Sequence, residues 1–342
     1  MSNEKGNANA SLRSAAKAKN DEFYTQLSDI ENELYHYRKH FEGKTILCNC
    51  DDPFESNFFK YFALNFEFLK LKKLIAVAYA DSPIVKARTC NGHGYVAEMS
   101  FARDVNGDTA FDWTDIMEML HNGDIKITDL QGKGDFRDKE CLDLLDEADV
   151  VVTNPPFSLF REYVATLVEH KKKFLIIGNK NAVTYKEIFS LMMNNELWLG
   201  YFVPKDFIVP DGHLSSKLGG LTRWFTNLDI SKRHEELILF KRYREDPSFY
   251  PKYDNYDAIN VDKVKYIPED YDGVMGVPLT FMDKYNASQF EMLGIMNTGE
   301  ENKGIRYPNT PHGRPVINGK EKYIRILIRN FHPLNNTQKG NN

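Results

Sequence analysis

Over its first 200 residues the chain alternates short apolar runs with stretches of helical period. Within DEFYTQLSDIENELYHYRKHF, apolar or aromatic side chains recur at Ile30, Leu34, Tyr37 and Phe41, the spacing of one helix face. KTILCNC (44–50) is an apolar run of strand length. DDPFESNFFKYFALNFEFL follows, with Pro53 suited to the first turn of a helix. KKLIAVAYA (72–80) predicts a second strand, and residues 82–120 show no clear period. DIKITDLQGKGDFRD (124–138) predicts a third strand and a Gly-rich turn. KECLDLLDEA reads as a helix with Leu142 and Leu145 inward, DVVVTN as the fourth strand, SLFREYVATLVEH as a helix and KKFLIIGNK as the fifth strand.

Strand–helix alternation with near-continuous apolar strands predicts an α/β fold, a parallel sheet covered by helices. Such sheets bind ligands just past the C-terminal ends of their strands. The unusual residues fall there: Asp51 and Asp52 after the first strand, Asp81 after the second, Asp135 after the third and Asn-Pro-Pro-Phe (154–157) after the fourth. Beyond about residue 200 the alternation fades. Residues 231–342, rich in Tyr, Asn, Asp, Pro and Gly with strand-like runs GVPLTF and YIRILIRN, predict a smaller α+β region. The expected organisation is a flexible basic arm (1–20), a catalytic domain (21–230) and a C-terminal region (231–342).

Composition changes this picture little. With 42% hydrophobic residues the chain is an ordinary globular one. No apolar run is long enough to span a bilayer, and the N-terminus lacks an apolar h-region, so a cytoplasmic protein without membrane contact is expected. Cys48, Cys50, Cys90 and Cys141 are irregularly spaced, unlike a disulfide framework or a metal site. Net charge is −5, against a simple electrostatic nucleic-acid binder. The charge is uneven: 24 basic against 31 acidic side chains up to residue 200, and 20 against 18 beyond it.

Two consecutive prolines cannot continue a strand or a helix, so NPPF is a rigid turn ending a buried strand. Its chemistry suits methylation of an amino group whose lone pair is delocalised, as on adenine. Two acceptors placed around the two amino protons localise that lone pair. The Asn154 side-chain carbonyl supplies one and the Pro155 backbone carbonyl the other, while Pro156 stiffens the turn. Phe157 offers a flat face for stacking. A target inside a duplex must be flipped out. RWFTN (223–227) supplies a candidate second wall in Trp224, with a core strand as the alternative.

Taken together, DEFYT, DIENEL, CNCDDP, SNFFKYFA, KKLIA, GDFR, DVVVTNPPFSLF, KKFLII, TYKE, WLG, TNLD, YPKYDNYDAINV, YDGVMGVP and RILI resemble the EcoRI-type adenine-N6 DNA methyltransferase family. The resemblance implies a Rossmann-like, S-adenosylmethionine-dependent methyltransferase sheet with a smaller C-terminal α+β target-recognition region. It implies methyl transfer to a flipped adenine in a short double-stranded DNA site, in restriction-modification or DNA protection. Tyr24 and Thr25 would hold the methionine end of the cofactor. Asp51 and Asp52 occupy the turn where most methyltransferases carry a Gly-rich loop, and a carboxylate there can pair with the cofactor's ammonium. Asp81 would accept from the ribose hydroxyls, and Asp135 with Phe136 would hold the adenine.

The motif order places target recognition in residues 231–342, with the loop DFIVPDGHLSSKLGG (206–220) as a further contributor. KRHEELILFKRYR (232–244) is the densest basic stretch, and Arg233, Lys241, Arg242 and Arg244 are candidate phosphate contacts, a solvated amphipathic helix being the alternative. A restriction endonuclease would be a separate protein, and a monomer is expected. RNA adenine or protein glutamine remain alternative substrates, because NPPF serves any delocalised amino nitrogen. A catalytically silent DNA-binding fold is the third reading.

Overall fold

A computed structural model describes residues 24–81, 92–205, 207–208, 214–215, 220–296 and 313–334. The basic arm and most of the loop at 206–220 lie outside the described residues. The chain forms two compact units, one of residues up to Lys180 with Gly200–Leu228, the other of Asn181–Leu199 with Asp229 onward.

The first unit is built on a mixed sheet. Its strands are β2 (Thr45–Cys48), β3 (Lys73–Ala78), β4 (Tyr95–Met99), β5 (Lys126–Asp129), β6 (Val150–Thr153), β7 (Lys173–Asn179) and β11 (Thr222–Thr226), in the order β5-β4-β3-β2-β6-β7-β11. The four central strands β3, β2, β6 and β7 are parallel, as their apolar runs predict. The expectation of an all-parallel sheet fails at both margins: β4 is antiparallel to β3 and β5, and β11 is antiparallel to β7. A continuous apolar run records burial on both faces; it does not record the direction of its neighbour. β5, exposed along its whole length, closes the edge with Lys126 and Asp129, a polar rim that resists further strand pairing.

Helices connect these strands. Leu27–Leu34 (α1) continues through a 3-10 turn into Arg38–Phe41 (α2), and Ile30, Leu34, Tyr37 and Phe41 are fully buried, as their spacing predicts. Glu33 is buried with them. Its carboxylate accepts from the Tyr37 hydroxyl at 2.7 Å and from the backbone N–H groups of Tyr201 (2.8 Å) and Phe202 (2.7 Å). Asn57–Leu64 (α3) starts later than Pro53 suggested. Ser56 is its N-cap, accepting from Phe58 and Phe59, and Pro53 lies in the preceding turn. Trp113–Asn122 (α4) lies in the stretch without a clear period. Lys139–Glu147 (α5) buries Cys141 and Leu145, whereas Leu142 is only half-buried. Phe160–Glu169 (α6) follows the NPPF turn.

A small antiparallel sheet also belongs to this unit: β1 (Tyr24–Thr25) pairs with β9 (Phe207–Ile208), which pairs with β10 (Leu214–Ser215). No helix of the described residues is long and apolar enough to cross a membrane.

The second unit holds the helix Lys186–Met193 (α7), the short strand β8 (Trp198–Leu199) and a four-stranded sheet. In that sheet β12 (Ile259–Asn260) runs parallel to β13 (Met275–Pro278), which pairs antiparallel with β17 (Arg325–Asn330), itself antiparallel to β14 (Phe290–Ile295). A hairpin of β15 (Val316–Ile317) and β16 (Lys320–Glu321) precedes β17. Tyr253, Tyr256, Val274, Met296 and Leu327 fill a core on this sheet. KRHEELILFKRYR is not a helix: after a 3-10 turn at Ser231–His234 it carries no helical segment.

Candidate active site

The chain leaves β2 to build β3 on one side and later returns to place β6 on the other side of β2. The sheet order therefore reverses between β2 and β6, and the space past the C-terminal ends of such strands is the usual ligand position in open α/β sheets. The turn 49–56 leaves one of these strands and NPPF leaves the other.

The two turns are tied directly. The Thr153 hydroxyl, on the last residue of β6, donates to Asp51 Oδ2 at 2.6 Å, and the Ser56 hydroxyl donates to Asp51 Oδ1 at 2.6 Å. Asp51 is nearly buried, and its backbone N–H reaches the Val77 carbonyl of β3 at 3.1 Å. Asp52 is equally buried. It accepts from the Tyr95 hydroxyl (2.8 Å) and the Phe54 N–H (2.9 Å). Sequence reasoning found both aspartates but missed Ser56, Tyr95 and Thr153. Tyr95 lies in the unassigned stretch, and nothing local marks Thr153 as the partner of a residue 102 positions away.

The NPPF turn follows at once. The Asn154 side-chain carbonyl oxygen is buried, although the residue as a whole is half-exposed. Pro155 is buried, and Pro156 and Phe157 are half-exposed. The Pro156 carbonyl accepts from Leu159 N–H at 3.0 Å, closing the 3-10 turn Phe157–Leu159. The Pro155 carbonyl accepts no hydrogen bond within the described residues, which leaves an unpaired acceptor in this rigid turn.

Around the turn 49–56 lie further polar atoms suited to a ligand. Thr25 is buried, its backbone carbonyl held by the Asn57 side chain at 2.8 Å, beside the start of α3. Its hydroxyl and the Asn49 side-chain carbonyl, both buried, have no hydrogen-bond partner among the described residues. Unpaired buried polar atoms are costly, so two of them beside an acidic turn mark a place where ligand donors pair. Of Tyr24, the backbone pairs with Ile208, and its side chain lies outside the described residues.

The Gly-rich turn returns to the same end of the sheet. Ala80 N–H donates to the Lys133 carbonyl at 2.8 Å, which lays the turn across the end of β3. Gly134 has φ +79°, and a Cβ there would stand 2.8 Å from the Ala78 carbonyl, so the position accepts only glycine without strain. Asp81 pairs with Lys133 at 2.9 Å. Asp135 is held by the Arg137 guanidinium through Nε (2.8 Å) and a second nitrogen (2.6 Å), which keeps its carboxyl below the usual carboxylate range. Arg137 also reaches Glu162 on α6 at 3.3 Å. Phe136 is almost wholly buried and packs edge-on to Tyr163 at 4.9 Å. The Tyr163 hydroxyl is a buried donor with no partner among the described residues, and burial first, then the charges of the neighbouring Cys50 and Asp51, raise its pKa.

Other expected residues do not join this arrangement. Trp224 is fully buried in β11, edge-on to Phe58 at 5.9 Å, so it is a core residue and no wall for an extruded base. Arg233, in the second unit, stacks on Trp198 at 3.5 Å, pairs with Asp229 at 3.1 Å and hydrogen-bonds Asn195, which makes it a structural cation. Arg242 pairs with Glu269 (2.7 Å) and Glu245 (3.4 Å), and Arg244 lies 3.9 Å from Asp270. Of the four expected phosphate contacts, only Lys241 has no acidic partner among the described residues.

The family model for the adenine-specific methyltransferase EcoRI matches residues 11–331. The type II methyltransferase M.EcoRI of Escherichia coli is 45% identical over 339 residues, covering 94% of this chain and 97% of that protein. M.MpnI of Mycoplasma pneumoniae is 38% identical over 338 residues, covering 92% and 96%. M.MgeORF184P of Mycoplasma genitalium is 36% identical over 340 residues, covering 92% and 97%. No solved structure matches the chain.

Proposed function

The chain belongs to the EcoRI family of adenine-specific methyltransferases, and on that premise we propose how its residues methylate adenine N6 in DNA. The observation that carries the reading is the NPPF turn, standing at the strand-order reversal with a buried Asn154 carbonyl and a Pro155 carbonyl that accepts no hydrogen bond among the described residues. These two acceptors take the two amino protons of a flipped adenine and localise the nitrogen lone pair. Phe157 presents the stacking face. The nitrogen becomes acidic once it carries the new methyl, so its surplus proton passes to solvent without a strong base. The protein's contribution is positioning and fixed polarity.

The cofactor is S-adenosylmethionine, which when bound supplies the electrophilic methyl. The residues present fit it. Asp51, Asp52, the Thr25 hydroxyl and the Asn49 carbonyl are acceptors for its ammonium, and Tyr24 is assigned with Thr25 to the methionine end. Asp81 accepts from the ribose hydroxyls. Asp135 accepts from the adenine amino group, and Phe136 lines the ring. DNA is the macromolecular substrate, and we assign it as a duplex with the target base extruded. A monomer in the cytoplasm, acting beside a separate endonuclease, completes the proposal.

Asp135→Ala is expected to weaken cofactor binding about tenfold, the size of one hydrogen bond to a charged acceptor. Glu162 remains within reach of Arg137, so the loop keeps its anchor. Calorimetry checks this, and unchanged cofactor affinity would remove the assignment. The reaction itself is tested by mass spectrometry of nucleosides from unmethylated DNA incubated with enzyme and S-adenosylmethionine, with RNA and protein pools alongside. N6-methyladenine in DNA is the expected product; methyl transfer confined to another pool would overturn the substrate.

A further inference from the structure

Three lysines of the second unit converge on one tyrosine. The ammonium groups of Lys241, Lys263 and Lys265 lie 5.9, 5.7 and 5.3 Å from the centre of the Tyr266 ring. By these distances any two of them stand within about 12 Å of each other. Phe249 packs edge-on to Tyr266 at 5.3 Å, and Lys241 is 6.0 Å from the Phe249 ring as well. The lysines are exposed, and Phe249 is 45% exposed. None of the three has a carboxylate within ion-pair distance among the described residues.

This is unlike the treatment of the neighbouring cations. Arg233, Arg242 and Arg244 each lie against an internal acid, and so does Arg325, 3.8 Å from Asp262. In a chain of net charge −5 acids are plentiful, yet the nearby Glu269 and Asp262 pair with Arg242 and Arg325 instead. Three positive charges gathered on one aromatic pair repel one another, and each cation–π interaction offsets only about 0.5–1 kcal/mol of that at an exposed site. The cluster is complementary to a dense line of negative charge, and duplex DNA carries one phosphate charge per about 1.7 Å of its axis. The ammonium groups themselves stand close to the two rings, so the aromatic pair gathers the three charges at one place on the surface.

We propose that Lys241, Lys263 and Lys265, seated on Tyr266 and Phe249, form a docking surface for the sugar-phosphate backbone of duplex DNA. The surface positions the substrate and carries no base reading of its own. The inference rests on the DNA reading given above and names the surface that serves it.

The test is titration of a fluorescein-labelled duplex of mixed sequence with the full chain at several salt concentrations. The triple variant Lys241→Gln/Lys263→Gln/Lys265→Gln is expected to bind about tenfold more weakly. Its slope of log affinity against log salt should be shallower by about 2 to 3, since each phosphate that a lysine no longer neutralises removes about 0.9. The triple Lys→Arg variant should keep both quantities, and calorimetric binding of S-adenosylmethionine should be unchanged in all of them. If wild type methylates DNA while the Gln variant keeps its affinity and slope, the lysines are merely solvated surface cations and this inference falls alone. If wild type neither binds nor methylates DNA, the underlying reading falls and takes this inference with it.

Discussion

Asn154→Ala is expected to lower turnover by a factor of about 100 or more while S-adenosylmethionine binding survives. The magnitude follows from what the side chain does. A preorganised polar contact made to the reacting group costs roughly 3–4 kcal/mol when it is removed, and each 1.36 kcal/mol is tenfold in rate. Asn154 belongs to this class because its carbonyl is buried at the end of β6, and Pro155 and Pro156 restrict the turn that carries it. Alanine removes the acceptor and leaves the backbone and the neighbouring Pro155 carbonyl in place. The loss should therefore fall on kcat under single-turnover conditions, with the cofactor affinity measured by calorimetry unchanged. Asn154→Asp, which keeps an acceptor at the same reach, should lose less than Asn154→Ala. Equal turnover by wild type and the alanine variant would remove the catalytic assignment.

The turn that carries Asn154 was legible in the sequence because its signals are local. Two prolines after three β-formers fix a strand end wherever they occur, and the Gly-rich turn before Asp135 declares a tight bend. The buried face of α1 and α2 was equally legible, since Ile30, Leu34, Tyr37 and Phe41 keep one period through a 3-10 turn. Helix α4 was missed although it carries a local signature. Asp112 caps it, Asp115 returns the capping bond, and Gly123 ends it in the left-handed region. Strand β4 was harder, because YVAEM has no turn signal that gives its direction, and the antiparallel pairing with β3 is a tertiary choice. The wrong reading of KRHEELILFKRYR has a different cause. Charged residues alternating with apolar ones fit a helix face, but the segment's partners are distant: Tyr243 N–H and Arg244 N–H both bond to Asp270, and Leu237 N–H bonds to Gln289. Trp224 likewise reads as a surface aromatic only while the burial of β11 is unknown.

The bridge between Thr153 and Asp51 is the feature least visible in sequence, and it carries the second large effect. Asp51→Ala is expected to lower turnover roughly 100-fold. It removes the charged acceptor of two buried hydroxyls, at about 1.5–3 kcal/mol each, and leaves both donors unpaired. The residue has two separable roles. As a brace it holds β6, and hence Asn154, in register with the turn that follows β2. On the proposed reading it is also an acceptor for the cofactor ammonium, since a carboxylate has lone pairs beyond the two taken by the hydroxyls. Thr153→Val separates these roles, because valine keeps the shape and the β-branch but donates nothing. If bracing matters to the chemistry, Thr153→Val loses about tenfold in kcat with unchanged cofactor affinity, and Thr153→Ser recovers most of it. If Asp51 acts only on the cofactor, Thr153→Val turns over like wild type, and Asp51→Ala shows its whole loss as weaker S-adenosylmethionine binding. A merely structural hydroxyl would lower the melting temperature of Thr153→Val without moving kcat of the folded enzyme. The geometry favours the brace: the 2.6 Å Thr153–Asp51 hydrogen bond runs between elements that leave opposite sides of the strand-order reversal, and the 2.6 Å Ser56 bond fixes Asp51 within its own turn, so a small displacement there would misplace the acceptor carbonyls.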